Sequence, residues 1–183
     1  IHSANNDLLT LINDILDLSK IEAGHVEVNL ERVAVADVVQ RLHEVFAPMA
    51  EHKGLGWSTR IAPAVAETLL TDEQRLQQIL RNLLSNALKF TERGEIALQV
   101  DVPAPGRVAF SVRDTGVGIA PEQHEVVFEA FRQADGSTSR KYGGTGLGLS
   151  ISRELAHLLG GEIQLRSAPG QGSVFTLELP LVL

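Results

Sequence analysis

The 183-residue sequence contains no cysteine, which excludes disulfides, thiolate zinc sites and a cysteine nucleophile together, and suits a reducing compartment. Its apolar runs are short and interrupted by charge, well under the ~18 consecutive residues that a bilayer span needs. A cytoplasmic location is therefore expected, with any membrane anchor left to a larger parent protein. Histidines stand at 2, 25, 43, 52, 124 and 157, and no two are four apart, the helical spacing at which two imidazoles share a metal. Positive charge is scarce: 16 Lys and Arg against 23 Asp and Glu give a formal net charge of −7. That argues against nucleic acid as a partner, because phosphate backbones are bound chiefly by clustered Lys and Arg. An anionic ligand must find a local positive patch, and Arg132, Arg140 and Lys141 offer one that, taken alone, reads equally as a solvated face. No glycine is followed by Lys and Ser or Thr, so the P-loop is missing as well.

What is present is a 44% hydrophobic chain, enough for a real core in one domain plus an appendage. In the first 22 residues Ile1, Ala4, Leu8, Leu11, Ile15 and Leu18 recur at spacings of three and four, and Leu9, Ile12 and Leu16 widen the stripe. This is a bundle helix, ended at Gly24, and it packs either on its own domain or in an intermolecular bundle. Alternation predicts a strand over residues 26–33, then a helix over 36–53 that Pro48 should kink, and a strand over 55–61. Thr71-Asp72-Glu73-Gln74 resembles a capping box for a helix over 72–90 with Leu76, Ile79, Leu80, Leu83, Leu84 and Leu88 on its apolar face. A hairpin follows over 95–102 and 108–113, then a glycine- and hydroxyl-rich stretch over 114–148, a helix to about 159, and strands over 162–167 and 173–179. The irregular alternation predicts an α+β fold: a two-layer α/β sandwich, its mixed sheet carrying helices on one face, preceded by one bundle helix.

Four separated stretches carry chemistry. Asn82, Asn86 and Lys89 lie along one side of a helix, where carboxamides can ligate a hydrated magnesium ion and an amine can meet phosphate. Asp114-Thr115-Gly116-Val117-Gly118 follows a strand, so its carboxylate can accept from the adenine amino group while the glycines admit close backbone approach. Phe128 and Phe131 flank the start of a loop, either plugging a core edge or anchoring a lid. Gly143-Gly144-Thr145-Gly146-Leu147-Gly148 precedes a helix whose first amides form an anion site. Read from Gly146, the third glycine of a dinucleotide fingerprint would fall at 151, which is Ile.

In this order, NLLSNALKFT at 82–91, DTGVGI at 114–119, VFEAFRQAD at 127–135 and GGTGLGLSI at 143–151 resemble the N, first glycine, F and second glycine boxes of the histidine-kinase ATP-binding domain. Gly170-Gln171-Gly172-Ser173 with Thr176 is similar to that family's last glycine segment, and DILDLSKIEAG is similar to the end of its phosphoacceptor hairpin. The resemblance implies a division into residues 1–24, the second hairpin helix, and 25–183, the catalytic domain. It implies ATP and magnesium as cofactors, with Asn86 on the metal, Asn82 close by and Lys89 toward the phosphates. Asp114 would read adenine over Gly116, Gly118 and Ile119, and Gly144, Thr145, Gly146, Leu147 and Gly148 would line the phosphates. Residues 132–143 would form a lid, with Arg140 and Lys141 on the terminal phosphate and Phe131 and Thr176 completing the site. The implied partners are the phosphoacceptor hairpin of the same or a partner subunit, a response-regulator receiver domain, and a second copy in a full-length homodimer. The family's acceptor histidine precedes an Arg-Thr-Pro segment; none occurs here, and His2 reads as an ordinary helix residue. Two other readings compete, an ATPase of the gyrase, chaperone and mismatch-repair type and a nucleotide-binding module without catalysis. The first needs a glutamate where this sequence has Asn82.

Overall fold

The computed structural model describes residues 2–129 and 147–183, with backbone alone for 2–7. Helix α1 (His2–Glu22) leads into strand β1 (Glu31–Ala34), helix α2 (Val35–His52) and strands β2 (Gly56–Ile61) and β3 (Thr68–Thr71). Helix α3 (Glu73–Phe90), the hairpin β4 (Glu95–Asp101) and β5 (Arg107–Asp114), and two short 3₁₀ turns follow. Helix α4 (Gly148–Leu158) and the hairpin β6 (Glu162–Ser167) and β7 (Ser173–Pro180) close the chain.

Five strands form one mixed sheet in the order β2-β4-β5-β7-β6, parallel only between β2 and β4. The expected mixed sheet with helices on one face is what forms. Alternation along each strand decides which face the helices cover. Ile96, Leu98, Val100, Phe110, Val112, Phe175 and Leu177 point into one core with Leu42 of α2, Leu80 and Leu83 of α3 and Leu155 of α4. The other face carries Gln99, Ser111, Arg113, Gln164, Arg166 and Thr176, and Ser111 and Thr176 join their hydroxyls across it at 3.1 Å.

The structure differs from the sequence expectations at two places before the first residue of α3. The strand expected over 26–33 shrinks to Glu31–Ala34, because its ladder partner is the four-residue β3, which the sequence reading missed. Ahead of β1, Val28 still packs on the core and the Asn29 amide is held by Asp72 Oδ2 at 3.0 Å, so the alternation marks a half-buried segment without a strand partner. The helix cap is also one residue later than expected. Asp72, not Thr71, caps α3, accepting from Arg75 N at 3.1 Å. α2 continues helical through Pro48 to His52, and Gly54 after its cap has a φ of 77° that only glycine takes without strain.

The stripe of α1 divides. Leu11, Leu18 and Ile21 pack against the core and Asp17 accepts from Gln78 of α3 at 3.2 Å, while Leu8, Leu9, Ile12, Ile15 and Leu16 stay exposed. No helix among the described residues is long and apolar enough to cross a membrane.

Because the Asp72 carboxylate serves two backbone amides, one at the start of α3 and one from the preceding segment, Asp72→Ala should cost about 2 kcal/mol. The urea midpoint should fall with an unchanged slope; an unaltered midpoint would remove the cap from the account of the fold.

Candidate nucleotide site

α3 buries Leu83, Leu84, Ala87 and Leu88, which turns Asn82 and Asn86 to half-buried positions and Lys89 to solvent. The two carboxamides are then treated differently. Asn82 Nδ2 donates to Ser152 Oγ at 3.1 Å and reaches the Gly148 carbonyl at 3.4 Å, fastening α3 to the first turns of α4. Asn86, one turn further along, has no hydrogen-bond partner among the described residues. At the start of α4 the cap position is Leu147, which has no polar side-chain group, so the first-turn amides are left to backbone or an anion. Gly148 faces Asn82, and a Cβ there would meet its carboxamide only at an ordinary 4.0 Å.

β5 ends at Asp114, whose side chain is 5% exposed. Burial pushes its carboxyl above the ordinary 3.8, opposed by hydrogen bonds from the Gly116 and Ser173 amides and by the Thr91 hydroxyl. The Gly116 amide donates to Asp114 Oδ1 at 2.9 Å. The glycines after it are set by packing. A Cβ on Gly116 would lie 2.2 Å from the Phe90 carbonyl, and one on Gly118, at φ 73°, would lie 2.0 Å from the Ala168 carbonyl. Val117 N donates to that same Phe90 carbonyl at 3.3 Å, so the loop is pressed onto the end of α3, one turn from Asn86. Ile119 is held by its amide on Ser167 Oγ at 2.7 Å, and its carbonyl bonds His124 Nε2 at 3.0 Å. The structure thus brings Asp114, Gly116, Gly118 and the Asn86 end of α3 together.

Thr176 does not join them. It stands opposite Ser111 on the outer face of the sheet, whereas Asp114 shares the inner face with Phe110 and Val112. The hydroxyl on the Asp114 face is Ser173, buried, opposite Asp114 in the ladder and 2.7 Å from Ser167 Oγ. Parity was the available signal, since Ser173 alternates with Phe175, Leu177 and Leu179 and Thr176 does not. Phe128 is a core residue, edge-on to Phe175 with centroids 6.2 Å apart, and Arg153 lies 5.1 Å over its ring. Phe131, Arg132, Arg140, Lys141, Gly143, Gly144, Thr145 and Gly146 lie outside the described residues.

Comparisons with known proteins place this geometry in a family. Residues 71–183 match the family model described as histidine kinase-, DNA gyrase B-, and HSP90-like ATPase, and the chain belongs to that family. It is 44% identical over 98% of its length to hybrid signal transduction histidine kinase L of Dictyostelium discoideum. It is 40% identical over 98% to the signal transduction histidine-protein kinase BarA of Escherichia coli K12. It spans only 11% and 20% of those two proteins. Among solved structures, full-length ShkA in complex with AMPPNP superposes with a TM-score of 0.87 at 36% identity, covering 97% of this chain and 36% of that one. The fold is that of a sensor histidine kinase's ATP-binding catalytic domain.

The raised acidity constant of Asp114 has a signed consequence for stability. Between 3.8 and its raised folded value the folded chain holds the proton more tightly than the unfolded chain. The stability that this group contributes is complete below 3.8 and is lost as pH rises through the folded value. Asp114→Asn, which cannot ionise, should therefore gain stability relative to wild type as pH rises from 4 to 7 in urea titrations. A difference that stays flat with pH would show that burial does not perturb the carboxyl.

Proposed function

We propose that this chain binds magnesium–ATP and aims its terminal phosphoryl group at a histidine of a phosphoacceptor hairpin, as the catalytic part of a two-component sensor kinase. The observation that carries this reading is the buried Asp114 carboxyl, with no ion pair among the described residues, at a strand end clamped against the helix that bears Asn86. Its location suits an acceptor for the exocyclic amino group of adenine, and the packed glycines beside it leave backbone, not side chains, against the base. The kinase names of its relatives favour transfer over hydrolysis. We assign residues 1–24 to the second hairpin helix and 25–183 to the catalytic domain. The hairpin, a receiver domain and a second kinase copy are its partners, and the cytoplasm is its compartment.

The residues present fit magnesium. Asn86 is half-buried and without a partner among the described residues, an available hard oxygen donor on the helix side turned toward the Asp114 loop. Magnesium characteristically keeps waters and phosphate oxygens as its other ligands, so a single protein carboxamide suffices, and no cluster of three His, Cys, Asp or Glu occurs among the described residues. When bound, the ion would neutralise phosphate charge. Lys89, exposed on the last turn of α3, adds a cation on the same side of the helix, and the α4 N-terminus adds oriented amides. The protein's share of the chemistry is then positioning and charge stabilisation.

The position one turn before Asn86 argues against a water-activating ATPase. Asn82 occupies it, its amide is committed to Ser152 and Gly148, and a carboxamide cannot take a proton from water. Purified chain should therefore hydrolyse ATP slowly, yet label a separately made acceptor hairpin with phosphohistidine from radioactive ATP. Rapid turnover without an acceptor would favour the ATPase reading, and binding without transfer would favour a passive nucleotide module. Asn86→Ala should abolish the magnesium-dependent part of ATP affinity in calorimetry, and unchanged affinity would remove Asn86 from the site.

A further inference from the structure

Thr91, the residue that follows α3, is completely buried, yet its hydroxyl has no well-formed hydrogen bond. An unsatisfied buried hydroxyl is costly, and a threonine in extended backbone, here φ −111° and ψ 111°, is replaceable by the isosteric valine without strain. Packing alone gives no reason for oxygen at this position. A Cβ on Gly116 would lie 2.2 Å from the Phe90 carbonyl and 3.0 Å from Asp114 Oδ1, so the Asp114 carboxyl sits beside the Phe90–Thr91 backbone, and the Thr91 hydroxyl favours its charged form. Phe90, its chain neighbour, receives the Val117 amide and closes against Gly116, so the end of α3 and the Asp114 loop form one clamped unit.

Resting on the reading of Asp114 given above, we infer that Thr91 is a positioning residue for base recognition: its hydroxyl donates to the Asp114 carboxylate and holds it as an acceptor toward the amino group of adenine. The Gly116 amide already takes Oδ1 at 2.9 Å, and the Ser173 amide supports the same carboxyl from β7. A third donor from α3 locks the group against rotation and keeps it ionised in a site that burial would otherwise neutralise. A protonated carboxyl would present a donor and a turned one would aim its oxygens elsewhere, and in either case the amino group of adenine would lose its partner.

The consequence is selectivity among bases, not merely affinity. ADP carries the exocyclic amino group and IDP carries a carbonyl oxygen in its place, so the ratio of their affinities reads the Asp114 acceptor directly. In calorimetry, wild type should prefer ADP, Thr91→Val should reduce that preference roughly tenfold, and Thr91→Ser should restore it. A role confined to folding would weaken both nucleotides equally and leave the ratio unchanged, which overturns the inference while the Asp114 reading stands. If wild type itself fails to prefer ADP over IDP, the reading of Asp114 falls and the inference falls with it. Should Thr91→Val not fold, Thr91→Ala read against Thr91→Ser gives the same comparison.

Discussion

A carboxyl group nearly stripped of water sits where α3, β5 and β7 meet, and the candidate site is arranged around the problem of keeping it there. Burying an ionisable group without an opposite charge is unfavourable unless hydrogen bonds replace its hydration. Asp114 receives these from neutral donors, the Gly116 and Ser173 amides, with the Thr91 hydroxyl beside them. Satisfying it therefore requires three separate elements to converge on one point. The close approaches at Gly116, Gly118 and Gly172 are the geometric counterpart: a Cβ on Gly172 would lie 2.0 Å from the Asp114 carbonyl.

The same constraint separates the roles of the two asparagines on α3. Asn82 is used to hold α4 against α3, which fixes the helix N-terminus relative to the Asp114 loop. Asn86, a turn nearer that loop, is left with its polar atoms uncommitted among the described residues. One carboxamide builds the frame and the other remains available to a ligand. A glutamate at position 82 would not only supply a base for water; it would lose the amide donor that joins the helices.

Much of this was legible in the sequence because long periodic segments report their own geometry. The leucines of α3 and the alternation of β4, β5 and β7 were read correctly to within a residue or two. Two-stranded β1 and β3 were poorly visible, since four-residue strands carry too little period and depend on a partner far along the chain. The cap of α3 was displaced because Thr71 and Asp72 both suit an N-cap, and the longer reach of Asp72 to Asn29 decided between them. Thr176 was misplaced for a different reason. A one-residue step along a strand changes the face of the sheet, so the hydroxyl that the motif suggests lies on the face opposite Asp114. Thr91 is not legible in the sequence, because nothing in the pattern distinguishes an orphan hydroxyl from a satisfied one.

The most direct test is the affinity of the chain for ATP measured by calorimetry at neutral pH, wild type beside Asp114→Asn. The substitution keeps the shape of the side chain, removes its charge and replaces one acceptor oxygen by an NH2 donor. Loss of a charge-assisted hydrogen bond to the base should weaken binding at least about tenfold. Equal affinities would contradict the placement of adenine against Asp114, and with it the nucleotide site described here.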